Sequence, residues 1–180
     1  MAAWALTEDG LRFALAGSYA LWVHGAPEPE HDVDFVVAED DVRSAENALN
    51  RHGFQIEHRP EGWLFKAHRT DCIVDVLFRL NGIPVDADLL AGAAVHEVLA
   101  VTMAVLSPTS VITQKLLALN EHHCDFGTML PTVRAVREQL DWPWIRTRTA
   151  HNDFAVAFLT LADRLGLTGP SRFELRRCGY

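Results

Sequence analysis

Ala14-Leu15-Ala16-Gly17-Ser18, then thirteen residues, then Asp32-Val33-Asp34-Phe35-Val36-Val37: this stretch decides the fold. Residues 11–16 read as an apolar strand, and Gly17-Ser18 as a turn into a short helix over residues 19–24. Gly25-Ala26-Pro27 ends that helix, with Gly25 as its C-cap. Residues 32–37 read as a second strand. On a strand, residues i and i+2 share a face, so Asp32 and Asp34 project together while Val33 and Phe35 turn into a core. Two carboxylates held this close repel each other unless a cation lies between them. Hard oxygen donors suit Mg²⁺, which keeps several waters and is bound by one or two carboxylates plus substrate phosphates. The stretch therefore predicts a site that handles a nucleoside triphosphate. An Asp-x-Asp pair also arises by chance in an acidic neighbourhood, and Glu28, Glu30, Glu39, Asp40 and Asp41 surround this one. It is the order of strand, Gly-Ser turn, helix and acidic strand that gives the pair its meaning.

A second acidic strand follows. In Ile73-Val74-Asp75-Val76-Leu77-Phe78, Asp75 is the lone charge, and a buried strand does not carry an isolated acid without a partner. Asp75 is thus either a salt-bridged core acid or a third member of the site. Asp71, before the strand begins, reads as a turn residue.

These residues resemble the signature of the nucleotidyltransferase superfamily that includes DNA polymerase β: a hydrophobic strand, Gly-Gly or Gly-Ser, nine to thirteen residues, then Asp-x-Asp flanked by apolar residues. Within it the sequence is similar to the AbiEii-type nucleotidyltransferase toxins, including the mycobacterial MenT group. The likeness runs from residues 16–21 through Asp34, then Val74-Asp75-Val76-Leu77, then Val105-Leu106-Ser107-Pro108 leading to Lys115-Leu116-Leu117-Ala118-Leu119. It implies an α+β fold, a polymerase β-like mixed sheet with flanking helices over residues 1–107. A C-terminal helical half over residues 108–180 is packed with it as one unit. It also implies that Asp32, Asp34 and Asp75 hold Mg²⁺, that Gly17 and Ser18 receive the triphosphate, and that Lys115 and Asp125 assist at the nucleotide. Glu28-Pro29-Glu30-His31 stands where many relatives have Arg-x-Thr, His122 stands where many have Arg, and Asp125 follows Lys115 sooner than in the family.

Composition is that of a compact enzyme. At 180 residues and 49% hydrophobic content the chain is long enough for one well-buried core. No apolar run approaches the eighteen or so residues of a membrane span. Residues 1–9 lack a basic region and are not expected to be a secretory signal. Cys72, Cys124 and Cys178 are odd in number and widely spaced, which predicts reduced thiols and a cytoplasmic setting. Residues 1–114 carry 7 Lys or Arg against 17 Asp or Glu, and residues 115–180 carry 9 against 7, a net of −10 and +2 that together make the chain's −8. Such acidity argues against a general DNA binder but leaves room for a local RNA contact. Arg134, Arg137, Arg146, Arg148, Arg172, Arg176 and Arg177 are the available cations. Trp142 and Trp144 are positioned either to stack on unpaired bases beside them or to pack in the core. His122-His123-Cys124-Asp125 is set aside as a zinc site, because adjacent histidines on a helix point about 100° apart and no second ligand pair follows.

Periodicity predicts helices over residues 40–52, 108–120, 126–140 and 152–165, and strands over residues 54–58, 63–68, 72–78, 95–99 and 101–106. Gly53 reads as a further helix C-cap. The expected chemistry is an in-line displacement in which bound metal activates the attacking hydroxyl and stabilises the departing pyrophosphate. Ser18 offers backbone N–H groups and a hydroxyl to the triphosphate, Asp75 assists deprotonation of the acceptor, and Lys115 neutralises developing charge. The likeness alone supplies the acceptor, the 3′ end of an RNA such as tRNA, along with a pyrimidine NTP donor and a cognate antitoxin. Two other readings stay open: a small-molecule enzyme acting on aminoglycosides or lincosamides, with Glu28, Glu30, Asp86 and Asp88 receiving a cationic acceptor, and an idle domain that binds a nucleotide or partner without turnover.

Overall fold

The computed structural model describes residues 1–30, 32–70 and 72–168. His31, Asp71, Arg172, Arg176, Arg177 and Cys178 lie outside the described residues. The chain divides into two units, Met1–Val23 with Glu28–Ser107, and His24–Pro27 with Pro108–Tyr180.

The first unit contains helices α1 (Ala2–Glu8), α2 (Gly17–Val23), α3 (Val42–Arg51) and α4 (Ala87–Ala91). Its strands are β1 (Phe13–Leu15), β2 (Val33–Val37), β3 (Gln55–His58), β4 (Leu64–Arg69), β5 (Cys72–Leu77), β6 (Arg79–Leu80), β7 (Ile83–Pro84), β8 (Ala94–Val98) and β9 (Val101–Val105). Seven of them form one mixed sheet in the order β3-β4-β5-β2-β1-β9-β8. β2 is parallel to β5 and β1 to β9, while β1–β2, β3–β4, β4–β5 and β8–β9 are antiparallel. The mixed α+β architecture expected from the sequence is thus present. β1 is only three residues long, but all three are buried, and Phe13 meets Phe35 edge to face at 5.3 Å between ring centroids. β6 and β7 form a separate two-stranded ribbon.

Several boundaries differ from the periodicity reading. The helix expected over residues 40–52 begins as a 3-10 turn at Glu39–Asp41, and only Val42 onward is α-helical. The strands expected at 95–99 and 101–106 form a hairpin whose turn is Leu99-Ala100, both at positive φ (48° and 63°), as a two-residue type I′ connection requires. α1, α4, β6 and β7 were not expected. α1 starts at an N-cap Met1 that makes no side-chain cap, so the usual start signal is missing. It is held by burial instead. Leu6 is fully buried, which contributes about 1.5–3 kcal/mol.

A polar clip also ties α1 to the end of α3. His52 donates from Nδ1 to the Ala48 carbonyl at 2.8 Å and from Nε2 to Glu8 Oε2 at 2.9 Å. Trp4 meets the imidazole edge to face at 5.0 Å, and Arg51 pairs with Asp9. Only the imidazolium donates from both nitrogens. The Ala48 carbonyl first, then the Glu8 carboxylate, raise the His52 pKa above its ordinary 6.5. A raised histidine stabilises most below its unfolded pKa, and that contribution fades as pH rises through the folded value. The clip should therefore loosen above about pH 6.5. In an NMR titration the His52 ring is expected to titrate above that value with α1 amide shifts moving in step, and in Glu8→Gln the midpoint should fall.

The second unit is helical: α5 (Pro108–Leu117), α6 (Phe126–Val136), α7 (Trp142–Thr149) and α8 (Asp153–Arg164). Three of these helices open on Asx N-caps. Asp125 accepts from the Gly127 and Thr128 amides, Asp141 from Trp144, and Asn152 from Ala155, each satisfying otherwise unpaired N–H groups. Pro131 sits inside α6, which passes at Arg137–Gln139 into a 3-10 turn. α7 was not expected.

Candidate active site

The two acidic strands are neighbours in the sheet. β2 and β5 run parallel in a register that sets Val33 opposite Val74 and Asp34 opposite Asp75, about 4.8 Å apart in the hydrogen-bonding direction. Residues paired in register share a face, so both carboxylates stand on one side of the sheet. Phe35 and Val37, on the other face of β2, are buried at 4% and 0% exposure. Asp32 lies just before β2, its side chain 44% exposed against 15% for Asp75.

The turn after β1 closes over this pair. The Ala16 amide donates to the Asp34 carbonyl at 2.8 Å, and Gly17 follows at φ +58°. A Cβ built on Gly17 would stand 1.8 Å from Asp34 Oδ2 and 2.8 Å from its Cγ. Glycine is required here twice over, for the left-handed backbone and for the approach to the carboxylate. Ser18 is the second residue of α2, directly after that contact. Gly17, Asp32, Asp34 and Asp75 are thus brought together.

The structure adds a residue that sequence reasoning missed. β4 pairs antiparallel with β5 so that Lys66 stands opposite Asp75. Its Nζ donates to Asp75 Oδ1 at 2.6 Å and Oδ2 at 2.9 Å, and to Asp32 Oδ2 at 3.1 Å. Burial pulls the Lys66 pKa down, but the bonds and charges of Asp75 and Asp32 outweigh it and the net shift is upward, so Lys66 is an ammonium at neutral pH. The signal was available. Lys66 is the lone charge in Leu64-Phe65-Lys66-Ala67, the mirror of Asp75 in its own strand, and two isolated opposite charges on successive apolar strands call for each other. The alternative reading of Asp75 as a salt-bridged acid is therefore realised alongside its place beside Asp34. Beyond Lys66 the row continues to Glu57 on β3, whose pKa is lowered by Arg59 at 2.6 Å and His68 at 2.8 Å.

Asp32, Asp34 and Asp75 fit a hard divalent ion by donor chemistry, and Lys66 marks the convergence of Asp32 and Asp75 as a place where positive charge is held. No three or more His, Cys, Asp or Glu among the described residues are grouped to hold a metal ion.

Lys115 and Asp125 belong to the second unit. Lys115 lies partly buried in the last turn of α5. Asp125 is the N-cap of α6, its Oδ1 taking the Gly127 amide at 2.9 Å and the Thr128 amide at 3.3 Å, a local task the sequence reading did not assign it. Asp125→Ala should cost about 1 kcal/mol in urea unfolding, and Asp125→Asn, which keeps the acceptor, should recover most of it. Asp86, offered as an acceptor contact, likewise caps α4 through the Leu89 amide at 2.8 Å. Trp142 spends its indole N–H on the Arg137 carbonyl at 3.2 Å, and Arg148 lies over Trp144 at 5.7 Å. Arg146 pairs with Asp163 and Arg137 with Glu138. The His122-His123-Cys124 run lies in the turn between α5 and α6, not on a helix.

No family model matches the sequence, and no curated protein matches it significantly. Solved structures do. A protein from Thermotoga maritima described as a nucleotidyltransferase aligns over 64% of this chain and 78% of its own, with 16% identity and a TM-score of 0.51. ANT(2″)-Ia in complex with adenylyl-2″-tobramycin aligns over 98% of this chain and 95% of its own, with 16% identity and a TM-score of 0.50. A tRNA nucleotidyltransferase bound to a primer tRNA and an ATP analogue covers 94% of this chain and 62% of its own, at 17% identity and a TM-score of 0.40. The fold is shared with the first two of these nucleotidyltransferase structures.

Proposed function

We propose that the chain is a metal-dependent nucleotidyltransferase that moves a nucleoside monophosphate from an NTP to a hydroxyl acceptor. The observation that carries this is the register of Asp34 with Asp75 on adjacent parallel strands, with Asp32 on the same side and Gly17 against Asp34. Mg²⁺ held by Asp32, Asp34 and Asp75 would supply charge stabilisation and lower the pKa of a bound hydroxyl. The residues do the rest. Gly17 leaves room for the Asp34 carboxylate, Ser18 meets the triphosphate from the β1–α2 turn, and Asp75 takes the proton of the attacking hydroxyl. Lys115 is assigned to the departing pyrophosphate on family likeness.

The same likeness supplies the acceptor. It is the 3′ end of an RNA, tRNA first, and the protein acts as a toxin restrained by a cognate antitoxin. A cationic small molecule is the second reading. It is favoured by the net −10 of residues 1–114 and by the alignment of ANT(2″)-Ia over nearly the whole of both chains. The test is label transfer: protein, Mg²⁺ and each α-³²P-labelled NTP in turn, with total tRNA in one series and aminoglycosides or lincosamides in another. Label on tRNA with one or two NTPs supports the first acceptor, and label on the antibiotic supports the second. Calorimetric NTP binding with no labelled product in either series would leave an idle nucleotide-binding domain.

A further inference from the structure

Lys66 is an unusual neighbour for carboxylates that are to receive a metal ion. Its ammonium contacts both oxygens of Asp75 and one of Asp32, and its side chain is 19% exposed, so it has exchanged most of its water for those two acids. We infer that Lys66 is a resident counter-ion that keeps bare divalent metal off Asp32 and Asp75, so that the ion enters only together with the triphosphate. The inference rests on the proposed nucleotidyl transfer and deepens it by assigning an order of entry.

Three features support it. An ammonium cancels one of the three negative charges that would draw a cation to this face of the sheet, and it occupies the oxygens themselves. Lysine is a compact point charge on a flexible four-carbon stem, so it can vacate the oxygens without moving β4. A triphosphate brings its own negative charge, which both carries the metal and receives the displaced ammonium. Lys66 is thus a positioning residue whose effect lies in metal affinity.

The experiment is Mn²⁺ binding to the full chain, followed by the electron spin resonance of the free ion, with and without a non-hydrolysable NTP analogue. The wild type should bind bare Mn²⁺ weakly and gain sharply when the analogue is added. Lys66→Gln should bind bare Mn²⁺ about tenfold tighter or more, a change of 1.4 kcal/mol per decade, and its gain from the analogue should shrink by the same factor. Lys66→Arg, which keeps the charge, should stay weak. Equal or weaker bare-ion binding in a folded Lys66→Gln overturns the inference. So does a wild type that binds Mn²⁺ tightly regardless of nucleotide, a result that needs no variant and leaves the metal site standing. Absence of Mn²⁺ binding in every protein, with or without the analogue, sinks the metal-site reading and the inference together.

Discussion

Asp34→Asn is expected to abolish nucleotidyl transfer, lowering the rate about a thousandfold or more while leaving the protein folded. The substitution keeps the shape of the side chain and removes its charge. Loss of one carboxylate from the proposed metal cradle withdraws several kcal/mol of transition-state stabilisation, and a thousandfold is about 4 kcal/mol. Folding should survive because the buried side of the strand and its backbone bond are both kept. Phe35, Val36 and Val37 are buried at 4%, 0% and 0% exposure, and the Asp34 carbonyl, which receives the Ala16 amide, is unchanged. Activity lost in a protein that remains folded separates a catalytic carboxylate from a structural one. Transfer at the wild-type rate would mean that the Asp34–Asp75 pair is not the reaction centre.

What the sequence disclosed and what it hid divide along locality. The β1–α2–β2 stretch was legible because each of its signals is local: an apolar strand, a glycine turn, alternation of acid and core residue. Asp75 was legible as an anomaly, but its meaning depends on register, and register is a property of two strands. Lys66 carried the same kind of local signal, a lone charge in an apolar run, and its partner likewise depends on register. Its charge makes sense only once β4 lies against β5 and brings it to Asp75, nine residues on. α1 was hidden because its stability comes from burial of Ala2, Ala3, Ala5 and Leu6, with no capping signal to announce it. For α7 a local signal does exist: Asp141 as N-cap with Pro143 at the second helical position is a start that proline and Asx preferences predict.

Gly17→Ala should be the most damaging single-methyl change in the first unit. Two separate costs meet at this position, and a second glycine allows them to be told apart. Gly62 also has positive φ, +67°, but a Cβ there meets nothing within 4 Å. Gly62→Ala should therefore show only the left-handed backbone penalty, about 1–2 kcal/mol, with transfer activity intact. Gly17→Ala incurs the same backbone penalty and in addition sets a methyl 1.8 Å from Asp34 Oδ2. No non-bonded heavy atoms tolerate that separation. Either the turn lifts away from β2, breaking the 2.8 Å bond from the Ala16 amide, or the Asp34 carboxylate rotates off its place beside Asp75. The second route costs less in stability, because it moves one side chain and spares the backbone. Activity should consequently fall by a hundredfold or more, about 2.7 kcal/mol, while the extra loss of stability over Gly62→Ala remains within about 1–3 kcal/mol. Urea unfolding and label transfer on the two variants measure both quantities. An inactive Gly17→Ala whose stability matches Gly62→Ala would locate the damage in the carboxylate; full activity would mean that the closeness of Gly17 to Asp34 has no part in the chemistry.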